Sequence, residues 1–188
     1  MATYTLPEGF DDFDMFAFGS VLLVGAVLGF FLNFISIMAY LRVKELRTPS
    51  NFFVFNLALA DLSLNCNGLA SAYASYLRYW PFGPEGCQIH GVQGMTSILA
   101  GISFLGAVFN TGLPVKTLLL LWGPYVVMCI YACFENTKLV SPKIRMVLPV
   151  LAKLSPLANA LLYSYGNEFY RGGIWQFLTG QSQTDKRK

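Results

Sequence analysis

The stretch that decides the fold reads PVLAKLSPLANALLY and occupies residues 149–163. It is apolar enough to span a membrane, but it holds Lys153 near its middle. A charged side chain at that depth is costly, by about 2.5 kcal/mol on insertion scales, so it marks either a tolerated defect or a functional group. Burial disfavours the charged form of an amine, and a neutral lysine is a nucleophile that forms a Schiff base with an aldehyde. The alternative to a functional lysine is a side chain that bends so that its ammonium group reaches the membrane–water interface. The central position of Lys153 in the span argues against this alternative.

The composition as a whole predicts an integral membrane protein. Of the 188 residues, 55% are hydrophobic and only 12% are charged, and the mean hydropathy is +0.51. Several uncharged runs exceed the roughly 18 residues that signal a membrane span. The fold class predicted is therefore all-α, a polytopic helix bundle in contact with lipid. The net charge of +3 gives no reason to expect a nucleic-acid partner.

Five spans are predicted, and together they make a membrane helix bundle at 16–178. They cover about residues 16–41, 52–75, 88–109, 116–134 and 146–166. An acidic lead at 1–15 precedes them. Residues 167–178 suit a short helix on the membrane surface, and a polar tail follows at 179–188.

Five spans place the two termini on opposite sides of the membrane, and the basic residues indicate which side is which. With the N-terminus outside, the inner segments carry eight lysines and arginines: Arg42, Lys44, Arg47, Lys116, Arg171, Lys186, Arg187 and Lys188. The outer segments then carry four: Arg78, Lys138, Lys143 and Arg145. The positive-inside rule therefore predicts an extracellular or lumenal N-terminus and a cytoplasmic C-terminus.

Polar side chains inside the spans predict a structural network between helices. Asp61 is a carboxylate in the second span and must face protein or water rather than lipid. Together with Asn33, Asn159 and Tyr163 it is expected to form a buried polar cluster rather than a catalytic site. Cys129 and Cys133 are four residues apart on one helix face, but two thiols alone make a poor metal site, so no metal is predicted.

Several motifs, in order along the chain, resemble rhodopsin-like G protein-coupled receptors. They are LRTP at 46–49, NLALAD at 56–61, WPFG at 80–83 with Cys87, WGPY at 122–125 and NALLY at 159–163. The last resembles the family's Asn-Pro-x-x-Tyr motif, with alanine in place of proline. Lys153 lies six residues before Asn159, where opsins carry their retinal-binding lysine. Within the opsins, GCQIHG at 86–91 and GIWQ at 173–176 are most similar to the RGR type, the retinal G protein-coupled receptors of the pigment epithelium.

The resemblance implies a chromophore and a pocket. All-trans-retinal, and also 11-cis-retinal, would form a Schiff base with Lys153, and light would convert the all-trans isomer to the 11-cis isomer in the visual cycle. Trp122, Tyr125, Gly94 and Met95 would line the pocket, although ordinary helix packing also explains such residues. His90 stands where many opsins have a glutamate, and it can hydrogen-bond the Schiff base but not neutralise it. The resemblance therefore implies a mixed, pH-sensitive protonation state, whereas the alternative for His90 is an interfacial residue with no role.

The chain also departs from the family pattern. About five of the seven transmembrane helices of the rhodopsin-like fold are present, because the end of helix three, helices four and five and their loops are missing between Val108 and about Asn110. The chain is similar to a shortened form of such an opsin. The Asp/Glu/Gly-Arg-Tyr triad that ends helix three in such receptors is absent, so G protein coupling is expected to be poor, and Cys87 has lost the disulfide partner that the family supplies.

Two other functions are consistent with the sequence. A truncated, non-photochemical opsin product would bind no retinal and would act, if at all, by associating with the full-length receptor. A small transporter is a weaker alternative, because no inverted repeat is visible. An absorbance band that appears with retinal and disappears in Lys153→Ala distinguishes the photochemical reading from the other two.

Overall fold

The computed structural model describes residues 6, 9–107 and 112–181, and these residues are almost entirely helical. Seven α-helices follow one another: α1 Asp12–Arg42, α2 Pro49–Leu77, α3 Gly83–Ala107, α4 Gly112–Phe134, α5 Pro142–Lys153, α6 Ser155–Gly166 and α7 Glu168–Thr179. Short 3-10 helices lie at Lys44–Leu46 and Thr137–Leu139. No strand occurs in this described part of the chain, and the predicted all-α class is confirmed. The predicted junction at 108–111 and the basic end of the tail at 186–188 lie outside the described residues.

Four segments of the described chain are long and apolar enough to cross a membrane. They are Asp12–Arg42, Pro49–Leu77, Lys116–Phe134 and Pro142–Ser164. Helix α3 has 25 residues, which is long enough for a span, but Gln88, His90 and Gln93 make its first half more polar. A crossing by α3, and with it the count of five spans, remains a prediction.

Helices α1 and α2 form the antiparallel pair on which the other helices pack. Small residues let the two backbones approach closely: a Cβ on Gly68 would lie 3.1 Å from the Ala26 side chain. Each helix also begins with a side-chain cap. Asp11 accepts a hydrogen bond from the Asp14 amide at 2.7 Å, and Thr48 accepts one from the Asn51 amide at 3.2 Å.

Two ion pairs show which helix ends lie together. Arg78, just after α2, is 3.1 Å from the Asp12 carboxylate, and Lys143 in the first turn of α5 is 2.8 Å from the Asp14 carboxylate. We call this side of the bundle the Asp12 end, and the opposite side, with the α1–α2 turn, the Arg42 end. Helix α3 therefore starts at the Asp12 end, and α4 returns to it.

The predicted span at 146–166 is interrupted near its middle, where one helix ends and the next begins. Helix α5 ends at Lys153 and α6 begins at Ser155, with Leu154 as the joint. Pro156 has no N–H, so the Ala152 carbonyl lacks its usual donor and the helix loosens. The Leu154 amide instead donates to the Leu151 carbonyl at 3.1 Å, in a tighter turn. Lys153 consequently sits at a helix end in the middle of the apolar segment.

The fourth helix begins earlier than the span predicted from about residue 116. Helix α4 begins at Gly112. Pro114 falls within its first turn, where a proline is tolerated because the helix has no partner for that N–H in any case. The helix then continues through Pro124 to Phe134.

Helix α7 is fastened to the Arg42 end by an apolar cluster. Tyr170 is 1% exposed. It packs with Val43 and Leu46 in the turn between α1 and α2, and with buried residues of these two helices. Its hydroxyl donates to the Ser36 carbonyl at 3.4 Å. Gly173 faces Leu46 so closely that an added Cβ would lie 2.5 Å from three side-chain atoms of that leucine.

We therefore expect Gly173→Ala to destabilise the protein by about 1–3 kcal/mol, the range typical of overpacking a dense site. Leu46 is itself 1% exposed and cannot move away easily. Gly166→Ala is the matched control, because a Cβ there meets nothing within 4 Å. Thermal unfolding in detergent, followed by tryptophan fluorescence, should show a clear loss for Gly173→Ala alone. Equal melting temperatures for the two variants would contradict this packing.

Candidate ligand-binding site

One cavity of about 550 Å³ lies between α2, α3, α4 and α5. Its lining is mostly apolar and aromatic, as is usual for pockets that hold small apolar ligands. The lining residues are Leu64, Asn67, His90, Gly91, Gly94, Met95, Trp122, Tyr125, Val126, Cys129, Ile130, Cys133, Pro149, Ala152 and Lys153. The structure thus brings Lys153 together with the five residues that the sequence predicts around it: His90, Gly94, Met95, Trp122 and Tyr125.

Lys153 is the last residue of α5, and its side chain lines the cavity. Ser155, just across the helix joint, is 3% exposed, so the backbone on that side is firmly buried. Within the described part of the chain, the lysine amine makes no hydrogen bond or ion pair. None of the lining residues is a carboxylate. A primary amine in such surroundings is disposed to react rather than to remain in an ion pair.

Trp122 connects the aromatic wall of the cavity to the lysine. Its ring is 6% exposed, and its Nε1 donates to the Ser155 hydroxyl at 3.0 Å, two residues beyond Lys153. Tyr125 lies one turn further along α4, with its ring centroid 6.3 Å from that of Trp122. Leu64, Trp122 and Ala152 form a small buried cluster. The backbone that carries Lys153 is therefore held next to the aromatic wall.

His90 closes the side of the cavity toward the Asp12 end, and its neighbours come from α2 and the loop before α3. Its Nε2 lies 3.2 Å from the Ser71 hydroxyl, and its backbone carbonyl accepts a hydrogen bond from the Asn67 amide at 2.8 Å. The Trp80 ring packs edge-on against the imidazole, with 5.0 Å between centroids. His90 is thus positioned by contacts with Ser71, Asn67 and Trp80.

The sequence analysis missed the cysteines as part of this site. Cys129 and Cys133 line the cavity. With Trp122, Tyr125, Val126 and Ile130 they form one stripe of α4 at spacings of three and four residues. That periodicity, counted forward from Trp122, is the signal that would have found them. The α2 residues Leu64 and Asn67 carry no such signal, because only long-range packing brings them to the site.

The predicted polar residues lie outside the cavity, deeper between α1, α2 and α6. Asn159 donates to the Asp61 carboxylate at 3.1 Å. Asn33 instead donates to two backbone carbonyls, those of Gly29 at 2.8 Å and Pro156 at 3.2 Å. Tyr163 packs at the edge of the apolar cluster around Tyr170. Asp61 and Asn159 are therefore joined directly, whereas Asn33 serves mainly to hold the backbone near the α5–α6 joint.

A further buried amide escaped the sequence analysis. Asn65 is 1% exposed, and neither its amide nitrogen nor its oxygen has a hydrogen-bond partner among the described residues. The side chain packs against Gly29, where an added Cβ would lie 2.5 Å from the Asn65 oxygen. Cys87, whose family partner is missing, has a free and exposed thiol near the start of α3.

Comparison with known proteins agrees with this architecture. The family described as "7 transmembrane receptor (rhodopsin family)" matches residues 32–108. The RPE-retinal G protein-coupled receptor of Bos taurus is 30% identical, with 98% of each chain covered, and that of Homo sapiens is 29% identical with the same coverage. Squid rhodopsin superposes with a TM-score of 0.78 at 16% identity, over 96% of this chain and 91% of that chain, and so supports the fold.

The fold and the cavity define the class of protein: a helical membrane bundle with a ligand-binding cavity that holds a lysine. The comparisons define the family. The chain belongs to the rhodopsin family of receptors, in the group of the RPE-retinal G protein-coupled receptors. The alignment with the bovine relative runs over 285 positions although this chain has 188 residues. The chain is therefore shorter than the bovine relative, and a truncated rhodopsin-like fold fits both the comparison and the structure.

Proposed function

We propose that Lys153 binds retinal as a Schiff base in the cavity, and that light then converts the all-trans isomer to the 11-cis isomer. The single observation that carries this proposal is the position of Lys153, which lines an apolar cavity of about 550 Å³ together with Trp122, Tyr125, Gly94 and Met95. Membership of the opsin family supplies the ligand class.

The size and chemistry of the cavity support a polyene aldehyde. Pockets for ligands of this size are usually about 300–1,000 Å³ and mainly apolar. The amine nitrogen would attack the aldehyde carbon, a carbon–nitrogen double bond would form, and the carbonyl oxygen would leave as water. The buried Trp122 ring, fixed by Ser155, provides a flat apolar surface for the chain of double bonds next to the new imine.

The protonation of that imine is the point at which this chain should differ from a typical opsin. A positive imine in a dry site is stable only beside a negative charge. The lining offers none: on the side of the cavity toward the Asp12 end, its polar residues are His90 and Asn67, and the Ser71 hydroxyl lies next to His90. We therefore propose that the imine is largely unprotonated at neutral pH and absorbs in the near ultraviolet.

We further propose that the Asp12 end faces the extracellular or lumenal side and the Arg42 end the cytoplasm. The Arg42 end holds Arg42, Lys44 and Arg47, consistent with the positive-inside rule. Coupling to a G protein should be weak, because the sequence lacks the Asp/Glu/Gly-Arg-Tyr triad that ends helix three in such receptors.

Isomer analysis tests the photochemical part of the proposal. The protein in lipid vesicles is loaded with all-trans-retinal in the dark and divided into dark and illuminated halves. Hydroxylamine then releases the chromophore, and chromatography separates the isomers. We expect 11-cis-retinal to be enriched only after light and only with an intact Lys153. An isomer mixture equal to that of vesicles without protein would contradict the proposal and favour the non-photochemical alternative.

A further inference from the structure

The wall of the cavity between α3 and α4 is open sideways. Met95 on α3 and Ile130 on α4 both line the cavity, yet they are 62% and 56% exposed. A Cβ added to Gly91 or Gly94 would meet no atom within 4 Å. This wall of the cavity is therefore open within the described part of the chain.

The opening follows from how the two helices are held. Near the Arg42 end α3 and α4 touch, because a Cβ on Gly101 would lie 3.2 Å from Leu118. Toward the Asp12 end each helix is held by a different neighbour. Asn67 of α2 holds α3 through the His90 carbonyl, and Ser155 holds α4 through Trp122.

Helix α4 shows the consequence most clearly. In the apolar 18-residue stretch of α4 only 6% of the residues are buried within the protein, compared with 44% in the corresponding stretch of α2. Exposed apolar side chains in a membrane-spanning segment face acyl chains rather than water. The opening between α3 and α4 therefore connects the cavity directly with the hydrocarbon core of the bilayer.

We infer that retinal enters and leaves the Lys153 site sideways from the bilayer, between α3 and α4, and that bound retinal exchanges with membrane retinal in the dark. This inference rests on the proposed function. Release is the hydrolysis of the imine: water adds to the imine carbon, the carbon–nitrogen bond breaks, the lysine regains its amine, and the aldehyde leaves. Water can approach from the Asp12 end, where the half-buried His90 lies.

Two tryptophan variants of α3 test the route. Met95→Trp places a large ring in the opening, whereas Val92→Trp adds the same ring to a residue that is 65% exposed and does not line the cavity. Vesicles loaded with retinal are mixed with vesicles containing deuterated retinal, and borohydride quenches samples over time. Mass spectrometry of the Lys153 peptide gives the exchanged fraction. We expect exchange in the original chain and Val92→Trp, and exchange slower by about tenfold, or an added barrier of about 1.4 kcal/mol, in Met95→Trp.

Equal exchange rates in the two tryptophan variants would overturn the inference. Absence of any retinal at Lys153 in the original chain would instead overturn the proposed function, so the two failures are distinguishable. If Met95→Trp takes up no retinal, Ile130→Trp with Val127→Trp as its control repeats the test on α4, where Val127 is 65% exposed and outside the cavity.

A second measurement tests contact between the bound retinal and lipid. The reduced retinyl amine is fluorescent, and brominated acyl chains should quench it. Lack of quenching in the original chain would also count against the opening.

Discussion

Lys153→Ala is expected to abolish retinal attachment while leaving the helix bundle folded. The amine is the nucleophile of the proposed reaction, and alanine at a helix end in an apolar segment costs nothing in charge burial. The measurement is the amount of retinyl adduct per protein after retinal addition and borohydride reduction. We expect the adduct to fall to the background of vesicles that contain no protein.

Lys143→Ala is the matched control for this experiment. It removes a lysine from the same helix, but one that is exposed and paired with Asp14 outside the cavity. An exposed ion pair contributes little to stability, so this variant should fold and keep the full adduct. Equal loss in both variants, or an adduct that persists in Lys153→Ala, would contradict the assignment of Lys153.

The second large effect is expected from His90→Glu. This change places a carboxylate in the lining of a cavity that otherwise has none, and a nearby negative charge favours the protonated imine. We expect the main absorbance band at neutral pH to move from the near ultraviolet into the visible. In the original chain the same shift should require acidification, because protonation must then occur without a counter-charge.

His90→Gln is the control, because the glutamine side chain has nearly the same size as glutamate but carries no charge. Glutamine should keep the near-ultraviolet band, and its pH titration should resemble that of the original chain. A visible band of equal strength in the glutamine variant would show that the shift comes from shape rather than charge. A visible band in the original chain that does not change with pH would mean that a counter-charge lies elsewhere.

Much of the site could be predicted because some of its residues are unusual for the sequence segments that contain them. Lys153 stands out in an apolar segment, and Pro156 next to it indicates the weakened helix that the structure shows at Leu154. Trp122 and Tyr125 were reached through motifs that keep their order along the chain. Local patterns of this kind need no knowledge of distant contacts.

The remainder depends on contacts between helices. The hydrogen bond from Trp122 to Ser155 and the contacts of His90 with Ser71 and Asn67 join residues far apart in the sequence. Nothing in the local pattern of α2 indicates that Asn67 turns toward α3. The sideways opening likewise depends on how α3 and α4 are held by other helices, and it becomes visible only when the exposure of Met95 and Ile130 is seen together with the cavity that holds the lysine.

The most direct test of the central claim is to trap the adduct on the original chain. The protein is kept in membranes, all-trans-retinal is added in the dark, borohydride reduces any imine, and mass spectrometry locates the retinyl group. The structure predicts a single dominant adduct on Lys153, formed in preference to exposed lysines such as Lys138 and Lys143. A folded preparation with no adduct, or with retinyl groups spread over the exposed lysines, would contradict the claim that Lys153 is the attachment site of an opsin cavity.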